Sequence, residues 1–128
     1  MNQSRSIVIL GSTGSIGTQA LDVVRAFPDA FQLTGISGHS NMGVLAEQAN
    51  EFQPPYVAVP TVETRDALVA ELVYSPTIFV GESGLLELVD IGLDILLVAI
   101  VGTAALPPVV AAIPKVGHIA IANKEVLV

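Results

Sequence analysis

Three glycines near the amino terminus are spaced in a pattern that could bind phosphate. Gly11, Gly14 and Gly17 follow the apolar run of residues 6–10 and precede a stretch with helical periodicity. In such a turn the first glycine permits a tight bend, the second leaves room for a pyrophosphate, and the third lets the helix pack closely on the strand. The N–H groups that open the helix would bind the phosphates, with added hydroxyl donors from Ser12, Thr13 and Ser15. The pattern predicts a dinucleotide-binding turn; the alternative is a glycine turn without a ligand.

The segment after the second predicted strand indicates which dinucleotide would bind. Folds specific for NAD usually place Asp or Glu there to bind the ribose 2′-hydroxyl. Here no acid follows Ser37, and the segment reads Gly38, His39, Ser40 and Asn41. Hydroxyls, an amide and an imidazolium can donate hydrogen bonds to a 2′-phosphate, whereas a carboxylate would repel it. The segment therefore favours NADP(H) over NAD(H). The alternative, that Ser40 and Asn41 only cap the next helix, is compatible with phosphate binding, because a helix N-terminus also binds phosphate.

A third polar cluster follows the last predicted strand. Asn123, Lys124 and Glu125 come just after a strand that ends near Ala122. Open α/β sheets bind ligands at the carboxyl ends of their strands, and Lys124 is the only cation predicted near that edge. The cluster is therefore a candidate substrate site, and the alternative is a solvated loop with an ion pair.

Composition excludes several classes of protein. The chain has 128 residues, of which 52% are hydrophobic and 13% charged, so it is neither a disordered tail nor too short for a core. A net charge of −7 with five scattered Lys and Arg gives no basic stripe for nucleic acid and no polybasic membrane patch. The absence of cysteine excludes disulfides and thiolate chemistry. The two histidines, His39 and His118, lack paired spacing, so no metal site is predicted.

One uncharged segment has nearly the length of a membrane span. Residues 95–113 contain no charge over 19 positions, but Gly102, Pro107 and Pro108 interrupt them. No basic residue flanks the amino-terminal end, and the amino terminus does not resemble a signal peptide. We therefore expect no membrane association, and a cytoplasmic location.

Strand and helix patterns alternate along the chain. The predicted strands are Ser6 to Leu10, Phe31 to Ser37, Tyr56 to Val59, Thr77 to Val80, Ile95 to Ile100 and His118 to Ile121. The predicted helices are Ile16 to Phe27, Met42 to Phe52, Val62 to Leu72, Ser83 to Val89 and Ala104 to Ile113, with caps at Asn41 and Thr61. The first helix is expected to bury one apolar face, namely Ile16, Ala20, Val23, Val24 and Phe27. This alternation predicts one α/β domain, 1–128, of Rossmann type: a doubly wound, mostly parallel sheet with helices on both faces.

Four blocks of sequence resemble one enzyme family. Residues 9–17, 21–24, 99–102 and 122–128 are similar, in this order, to motifs of 1-deoxy-D-xylulose 5-phosphate reductoisomerase. The resemblance implies conversion of that sugar phosphate to 2-C-methyl-D-erythritol 4-phosphate, a step of non-mevalonate isoprenoid biosynthesis. It implies a rearrangement that depends on a divalent metal (Mg, Mn or Co), a reduction by NADPH, and a homodimeric full-length enzyme.

The resemblance also implies roles for individual residues. Those implied to contact the pyrophosphate and adenosine side of NADPH are Thr13, Gly14, Ser15 and Ile16. Those implied to surround the 2′-phosphate are His39, Ser40 and Asn41, with weaker phosphate affinity expected because the family often has Lys or Arg where Ser40 stands. The nicotinamide region would be lined by Ala99 and Ile100. NADPH would also contact Asn123 and Glu125, and the substrate would contact Lys124.

The length of the chain sets an expectation about its activity. The family's metal-binding carboxylates, its substrate-phosphate site, its dimerisation elements and its C-terminal domain lie beyond residue 128. We expect a fragment of a longer enzyme that binds cofactor, holds no metal ligands and is inactive alone. Two alternatives remain: another NADP-dependent dehydrogenase, of the semialdehyde or dihydrodipicolinate reductase type, and a non-enzymatic nucleotide-sensing Rossmann domain. The Asn-Lys-Glu block does not fit the first, and the second has no need of Lys124.

Overall fold

Six parallel strands form one sheet in the computed structural model, which describes residues 4–100 and 116–121. The strands are β1 (Arg5–Leu10), β2 (Phe31–Ser37), β3 (Tyr56–Val59), β4 (Thr77–Val80), β5 (Leu93–Val98) and β6 (Val116–Ile121). The helices of the described residues are α1 (Ser15–Ala26), α2 (Met42–Phe52), α3 (Val62–Val69) and α4 (Gly81–Val89).

The strand order places the amino-terminal strand in the middle of the sheet. The order is β4-β3-β2-β1-β5-β6, and every neighbouring pair is parallel. The chain moves outward from β1 to β4, then returns through α4 to β5 on the other side of β1. Strand order therefore reverses between β1 and β5, and in open α/β sheets the crevice at such a point binds the ligand.

Both faces of the sheet are covered. Along β1, Ile7 and Ile9 pack into a core with α1, α2 and α3, whereas Val8 and Leu10 pack into a second core with α4. Successive side chains of a strand point to opposite faces, so a strand buried on both sides reads as a continuous apolar run. The predicted α/β class, with helices on both faces, is confirmed.

The buried face predicted for α1 was only partly correct: Val24 is buried and Ala20 packs against the core, as expected, but the other three residues are exposed. Ile16, Val23 and Phe27 are 45%, 48% and 59% exposed, and the buried residues of this helix are Gly17, Leu21 and Val24. A Cβ on Gly17 would lie only 2.2 Å from the carbonyl oxygen of Gly11, so the helix approaches the turn most closely at this glycine. That contact turns the Gly17 face toward the sheet, and the apolar periodicity, which gave glycine no weight, selected the neighbouring face.

Local patterns located most of the other elements. The bounds of β2, α2, β3 and β4 agree with the prediction, and Asn41 and Thr61 are caps that accept hydrogen bonds from Val44 N and Thr64 N at 3.1 Å each. The strands β1 and β6 begin one and two residues earlier than predicted, and α4 begins at Gly81 rather than Ser83. The predicted helix of residues 104–113 lies outside the described residues.

Two predicted ends were displaced by contacts distant in sequence. β5 ends at Val98 rather than Ile100, because its pairing with β1 ends where β1 does, at Leu10. α3 ends at Val69 rather than Leu72, and the chain after it is held by Asn50, whose amide bridges Glu71 O and Val73 N at 2.9 Å each. Within the described ranges, the longest helix is too short and too polar to cross a bilayer, and residues 95–98 of the uncharged segment belong to β5.

Candidate dinucleotide-binding groove

A groove of about 730 Å³ opens at the carboxyl ends of the strands. It runs from the residues after β5, across the turns that follow β1 and β2, to the end of β3 and the start of α4. Seven of the residues predicted from sequence line it: Gly11, Thr13, Gly14, Gly38, His39, Ala99 and Ile100. The groove thus brings together segments up to 89 residues apart (Gly11 and Ile100), as the rule for open parallel sheets predicts.

Two of the three glycines are required by the fold itself. Gly11 has φ +84°, a left-handed conformation, and a Cβ there would lie 2.9 Å from the backbone of Ala99. Gly17 lies where a Cβ would meet backbone atoms of Gly11 and Ser12 at 2.2 to 2.8 Å. These glycines let the turn bend against the end of β5 and let α1 pack on the turn. Gly17 does not line the groove, so its role is close packing.

The third glycine is different, because its missing side chain leaves open the space a ligand would need. Gly14 is the N-cap of α1 with φ −79° and ψ 178°, a backbone conformation that any residue adopts. A Cβ on it would meet only Gly11 O, at 3.7 Å, so the space beside this groove-lining residue is open. In the described part of the chain no side chain caps this end of α1, and no acid lies in its first turn. The N–H groups and the positive end of the helix dipole are therefore available to phosphate.

The hydroxyls near the turn have separate surroundings. Thr13 lines the groove, and its contact with a cofactor stays a prediction; Ser15 is exposed at the start of α1 without lining the groove. The expectation that Ser12 donates to a phosphate was wrong: its side chain is fully buried, and Ser12 Oγ lies 2.8 Å from Gln48 Oε1 and 3.3 Å from Ser37 O. Ser12 therefore faces the core, whereas its neighbours Gly11 and Thr13 line the groove.

The segment after β2 forms the second part of the site. Gly38 and His39 line the groove, and Ser40 and Asn41 are exposed beside it. Asn41 Oδ1 accepts the hydrogen bond from Val44 N, and its amide nitrogen has no partner among the described residues. The capping role weighed for Asn41 is confirmed, and its Nδ2 remains able to donate to a ligand. Ser40 makes no side-chain cap; its carbonyl accepts from Met42 N at 3.1 Å.

The residues after β5 form the opposite end of the groove. Ala99 and Ile100 lie directly beyond the strand, and Ala99 N donates to Leu10 O at 2.8 Å. This bond fixes the segment against the glycine turn. An apolar wall at this position suits a flat ring, as the resemblance implied for nicotinamide.

Sequence reasoning missed one side of the groove. It is formed by the end of β3 and the start of α4, where the lining residues are Ala58, Val59, Pro60, Gly81, Glu82 and Leu85. The signal was available, since these segments lie at or just after the carboxyl ends of β3 and β4, but neither contains a phosphate-binding motif. Glu82 is exposed and is the only acidic side chain among the described lining residues.

The remaining candidates lie outside the described residues. Asn123, Lys124 and Glu125 belong to 122–128, so their predicted contacts with cofactor and substrate stay predictions. In the described ranges, no three or more His, Asp or Glu side chains are grouped closely enough to fit a metal ion. No metal ligand is therefore assigned among them.

The strand order, the glycine turn and the groove define the Rossmann class of nucleotide-binding folds. Comparison with known families is more specific. Residues 7–128 match the family model of 1-deoxy-D-xylulose 5-phosphate reductoisomerase. The chain belongs to this family.

Individual relatives agree with this assignment. A 1-deoxy-D-xylulose 5-phosphate reductoisomerase of Synechocystis sp. is 46% identical over 129 residues, covering 97% of this chain and 33% of that protein. The solved structure of the enzyme from Zymomonas mobilis in complex with NADPH superposes with a TM-score of 0.91 at 32% identity, covering 98% of this chain and 33% of that one. A solved structure of DOX-P reductoisomerase in complex with NADPH, fosmidomycin and magnesium superposes with a TM-score of 0.86 at 33% identity, covering 96% of this chain and 31% of that one. The chain spans about a third of the length of the curated relatives it matches.

Proposed function

We propose that this chain, over residues 1–128, is the NADPH-binding domain of a reductoisomerase that acts on 1-deoxy-D-xylulose 5-phosphate in non-mevalonate isoprenoid biosynthesis. The observation that carries the proposal is the open space at Gly14, which faces the groove at the uncapped start of α1. Family membership, and the likeness to reductoisomerase structures in complex with NADPH, favour this function over another dehydrogenase or a nucleotide sensor.

The groove suggests how the cofactor would lie. The pyrophosphate would accept hydrogen bonds from the N–H groups at the start of α1, beside Thr13 and Gly14. The 2′-phosphate would lie at the segment after β2, where Asn41 Nδ2 has no partner among the described residues and where no acid follows the strand. The further proposed contacts are those of Ser15, Ile16, His39 and Ser40, and of Asn123 and Glu125.

The nicotinamide would rest against Ala99 and Ile100, beside the turn that these residues contact. When bound, the cofactor supplies the hydride for the reduction. The protein residues orient it: the helix N-terminus fixes the phosphates, and the apolar wall after β5 keeps water from one face of the ring. Lys124 would hold the substrate at the edge of the sheet, next to the cofactor.

The complete reaction needs parts that the relatives carry over the other two-thirds of their length. We propose that these 128 residues bind cofactor without turnover, and that a divalent metal (Mg, Mn or Co) and the substrate phosphate bind elsewhere in a full-length, cytoplasmic homodimer. Incubation of the chain with substrate, NADPH and Mg²⁺ or Mn²⁺ should give no NADPH oxidation above background. Turnover would show that the proposal assigns too little to this chain.

A single exchange tests the cofactor assignment without disturbing the helix. Asp is as good an N-cap as Asn, so Asn41→Asp should keep the bond from Val44 N and the stability of α2. The added carboxylate would repel a 2′-phosphate and replace the amide donor. In titrations followed by cofactor fluorescence, the unmodified protein should bind NADPH more tightly than NADH, and Asn41→Asp should weaken NADPH binding about tenfold or more with NADH little changed.

The outcomes separate two errors. If neither cofactor binds the unmodified protein, the domain assignment is wrong. If NADH binds as tightly as NADPH, or if Asn41→Asp weakens both cofactors equally, the 2′-phosphate does not lie at the segment after β2.

A further inference from the structure

The polar side chains buried in the described part of the chain are concentrated at one place. Ser12, Ser37 and Gln48 are 0%, 4% and 7% exposed, and no other polar side chain among these residues is classed as buried. Burial of a hydroxyl or an amide is costly unless its hydrogen bonds are made. All three come from different elements, the glycine turn, the end of β2 and the middle of α2, and Ser12 is hydrogen-bonded to both of the others.

Their hydrogen bonds converge on the first half of the glycine turn. The Gln48 amide makes two bonds with Ser12, since Nε2 donates to Ser12 O at 2.9 Å and Oε1 accepts from Ser12 Oγ at 2.8 Å. Ser37 makes two more, since its Oγ accepts from Gly11 N and its carbonyl accepts from Ser12 N, both at 2.9 Å. No buried side-chain polar atom is left without a partner in the described ranges.

We infer that Gln48 is a positioning residue for cofactor binding: through Ser12 it holds the glycine turn in the conformation that receives the pyrophosphate. The inference rests on the proposed NADPH function. Gln48 does not line the groove, so it acts only through the turn. A turn rich in glycine has many accessible conformations, and ordering it on binding would reduce affinity. Hydrogen bonds made before the ligand arrives remove that cost.

Gln48 also fixes the distance between two parts of the groove. It lies on α2, whose N-cap is Asn41, seven residues earlier and about 10 Å along the helix axis at the α-helical rise. A bond from the middle of this helix to Ser12 makes the pyrophosphate turn and the proposed 2′-phosphate segment one rigid unit. A ligand that contacts both segments should therefore depend on Gln48 more than a ligand that contacts one.

The chain offers a matched control for the loss of such an amide. Asn50, two residues further along α2, bridges Glu71 O and Val73 N at 2.9 Å each, away from the groove. Gln48→Met and Asn50→Ala each remove a side-chain amide of α2 that is hydrogen-bonded to two groups outside the helix. Both substitutions should therefore lower the melting temperature. Only Gln48→Met should change the affinity for a ligand of the glycine turn.

Two probes distinguish positioning from general loosening. NADPH carries the pyrophosphate, whereas adenosine 2′-monophosphate has the same 2′-phosphate and adenine but no 5′-phosphate to reach the turn. At a temperature where each variant is folded, Gln48→Met should weaken NADPH about tenfold, the value of roughly one hydrogen bond, and leave adenosine 2′-monophosphate unchanged. Asn50→Ala should leave both affinities unchanged. Ser12→Ala, which keeps the bond from Gln48 Nε2 to the Ser12 carbonyl, should weaken NADPH less and serves if Gln48→Met does not fold.

Three results would overturn the inference while leaving the proposed function standing. The first is that Gln48→Met and Ser12→Ala both bind NADPH with an affinity within twofold of that of the unmodified protein. The second is that Gln48→Met lowers the affinities for NADPH and adenosine 2′-monophosphate equally. The third is that Asn50→Ala lowers the affinity for NADPH as much as Gln48→Met does. Failure of the unmodified protein to bind NADPH would instead reject the proposed function.

Discussion

Replacement of Gly14 by valine separates the ligand role of the glycine turn from its structural role. The structure gives Gly14 an ordinary backbone conformation, φ −79° and ψ 178°, and a Cβ would find no atom closer than 3.7 Å. A valine side chain should therefore fit the fold and extend into the groove. It would occupy the space beside the first N–H groups of α1, where the pyrophosphate is proposed to bind.

The expected magnitudes for Gly14→Val follow from this geometry. Valine is a poorer N-cap than glycine, but it also lowers the entropy of the unfolded chain, and the two effects offset to within about 1 kcal/mol. Exclusion of the pyrophosphate would remove at least two charge-assisted hydrogen bonds of about 1.5–3 kcal/mol each. NADPH affinity should therefore fall by more than about a hundredfold at nearly unchanged stability.

Gly17→Ala is the matched control, because it places a methyl group against backbone instead of in the groove. Its Cβ would lie 2.2 Å from Gly11 O and 2.6 Å from Ser12 Cα, atoms that cannot move aside as a flexible side chain can. We expect a loss of about 1–3 kcal/mol, typical of overpacking, although alanine is otherwise favoured in a helix by about 1 kcal/mol.

Urea unfolding and fluorescence titration with NADPH, on both variants, make the comparison. The expected pattern is a stable Gly14→Val that does not bind and a destabilised Gly17→Ala. If Gly14→Val bound NADPH within threefold of the unmodified protein, the turn would be only structural. If Gly14→Val did not fold, the conclusion that the fold has room for a side chain at this position would be wrong.

Three further predictions address charge and pH. In the full-length enzyme, Lys124→Ala should lower kcat/KM by roughly a hundredfold or more and change the free energy of unfolding by less than about 0.5 kcal/mol, as steady-state kinetics and thermal melts would show. Normal turnover would reject the substrate role and leave Lys124 only a surface ion pair with Glu125, worth less than about 1 kcal/mol. Glu82→Gln should tighten NADPH binding by about two- to fivefold at low salt, because a carboxylate in the groove repels the phosphates of the cofactor. The gain in affinity should be smaller in 0.5 M NaCl, where salt screens the repulsion. Weaker binding by Glu82→Gln would instead indicate a direct contact between Glu82 and the cofactor. Burial raises the pKa of Tyr74 to about 12, so the folded state favours the protonated phenol. This preference stabilises the folded protein below about pH 10, and the stabilisation is lost as the pH rises toward 12. Because Tyr74 is partly exposed, this stabilisation should be only about 1 kcal/mol. In urea unfolding, the free energy of unfolding of the unmodified protein relative to Tyr74→Phe should be smaller at pH 12 than at pH 8. A difference that does not change with pH would contradict this prediction.

The sequence predicted those elements whose ends are set by nearby residues. β3 is an apolar run between Pro55 and Pro60, and β2 ends before Gly38. α2 begins after a capping asparagine and ends shortly before two prolines. Each of these signals acts within a few positions of the boundary that it sets. The ends of β5 and α3 depend on β1 and on Asn50, which no local window contains.

The same distinction applies to the groove. The glycine turn and the segment after β2 were identified because each carries its chemistry in consecutive residues. Glu82 and Leu85 were missed because no phosphate-binding motif marks the start of α4, and only the tertiary fold shows that this helix start lines the groove. Ser12 was assigned wrongly because a hydroxyl in a turn reads the same in sequence whether it faces a ligand or the core.

The two kinds of glycine and the buried amide together explain why the glycine pattern alone is a weak indicator of function. Gly11 and Gly17 allow the turn to form, but they leave it free to adopt other conformations in a peptide of the same sequence. What selects one conformation is a set of bonds from β2 and α2, 25 to 36 residues further along the chain. A chain that shared the three glycines but had an apolar residue in place of Gln48 could fold into the same sheet and still bind a dinucleotide poorly. In this family the presence of an amide at the position of Gln48 should therefore track cofactor affinity more closely than the choice of hydroxyl residue at Thr13 or Ser15.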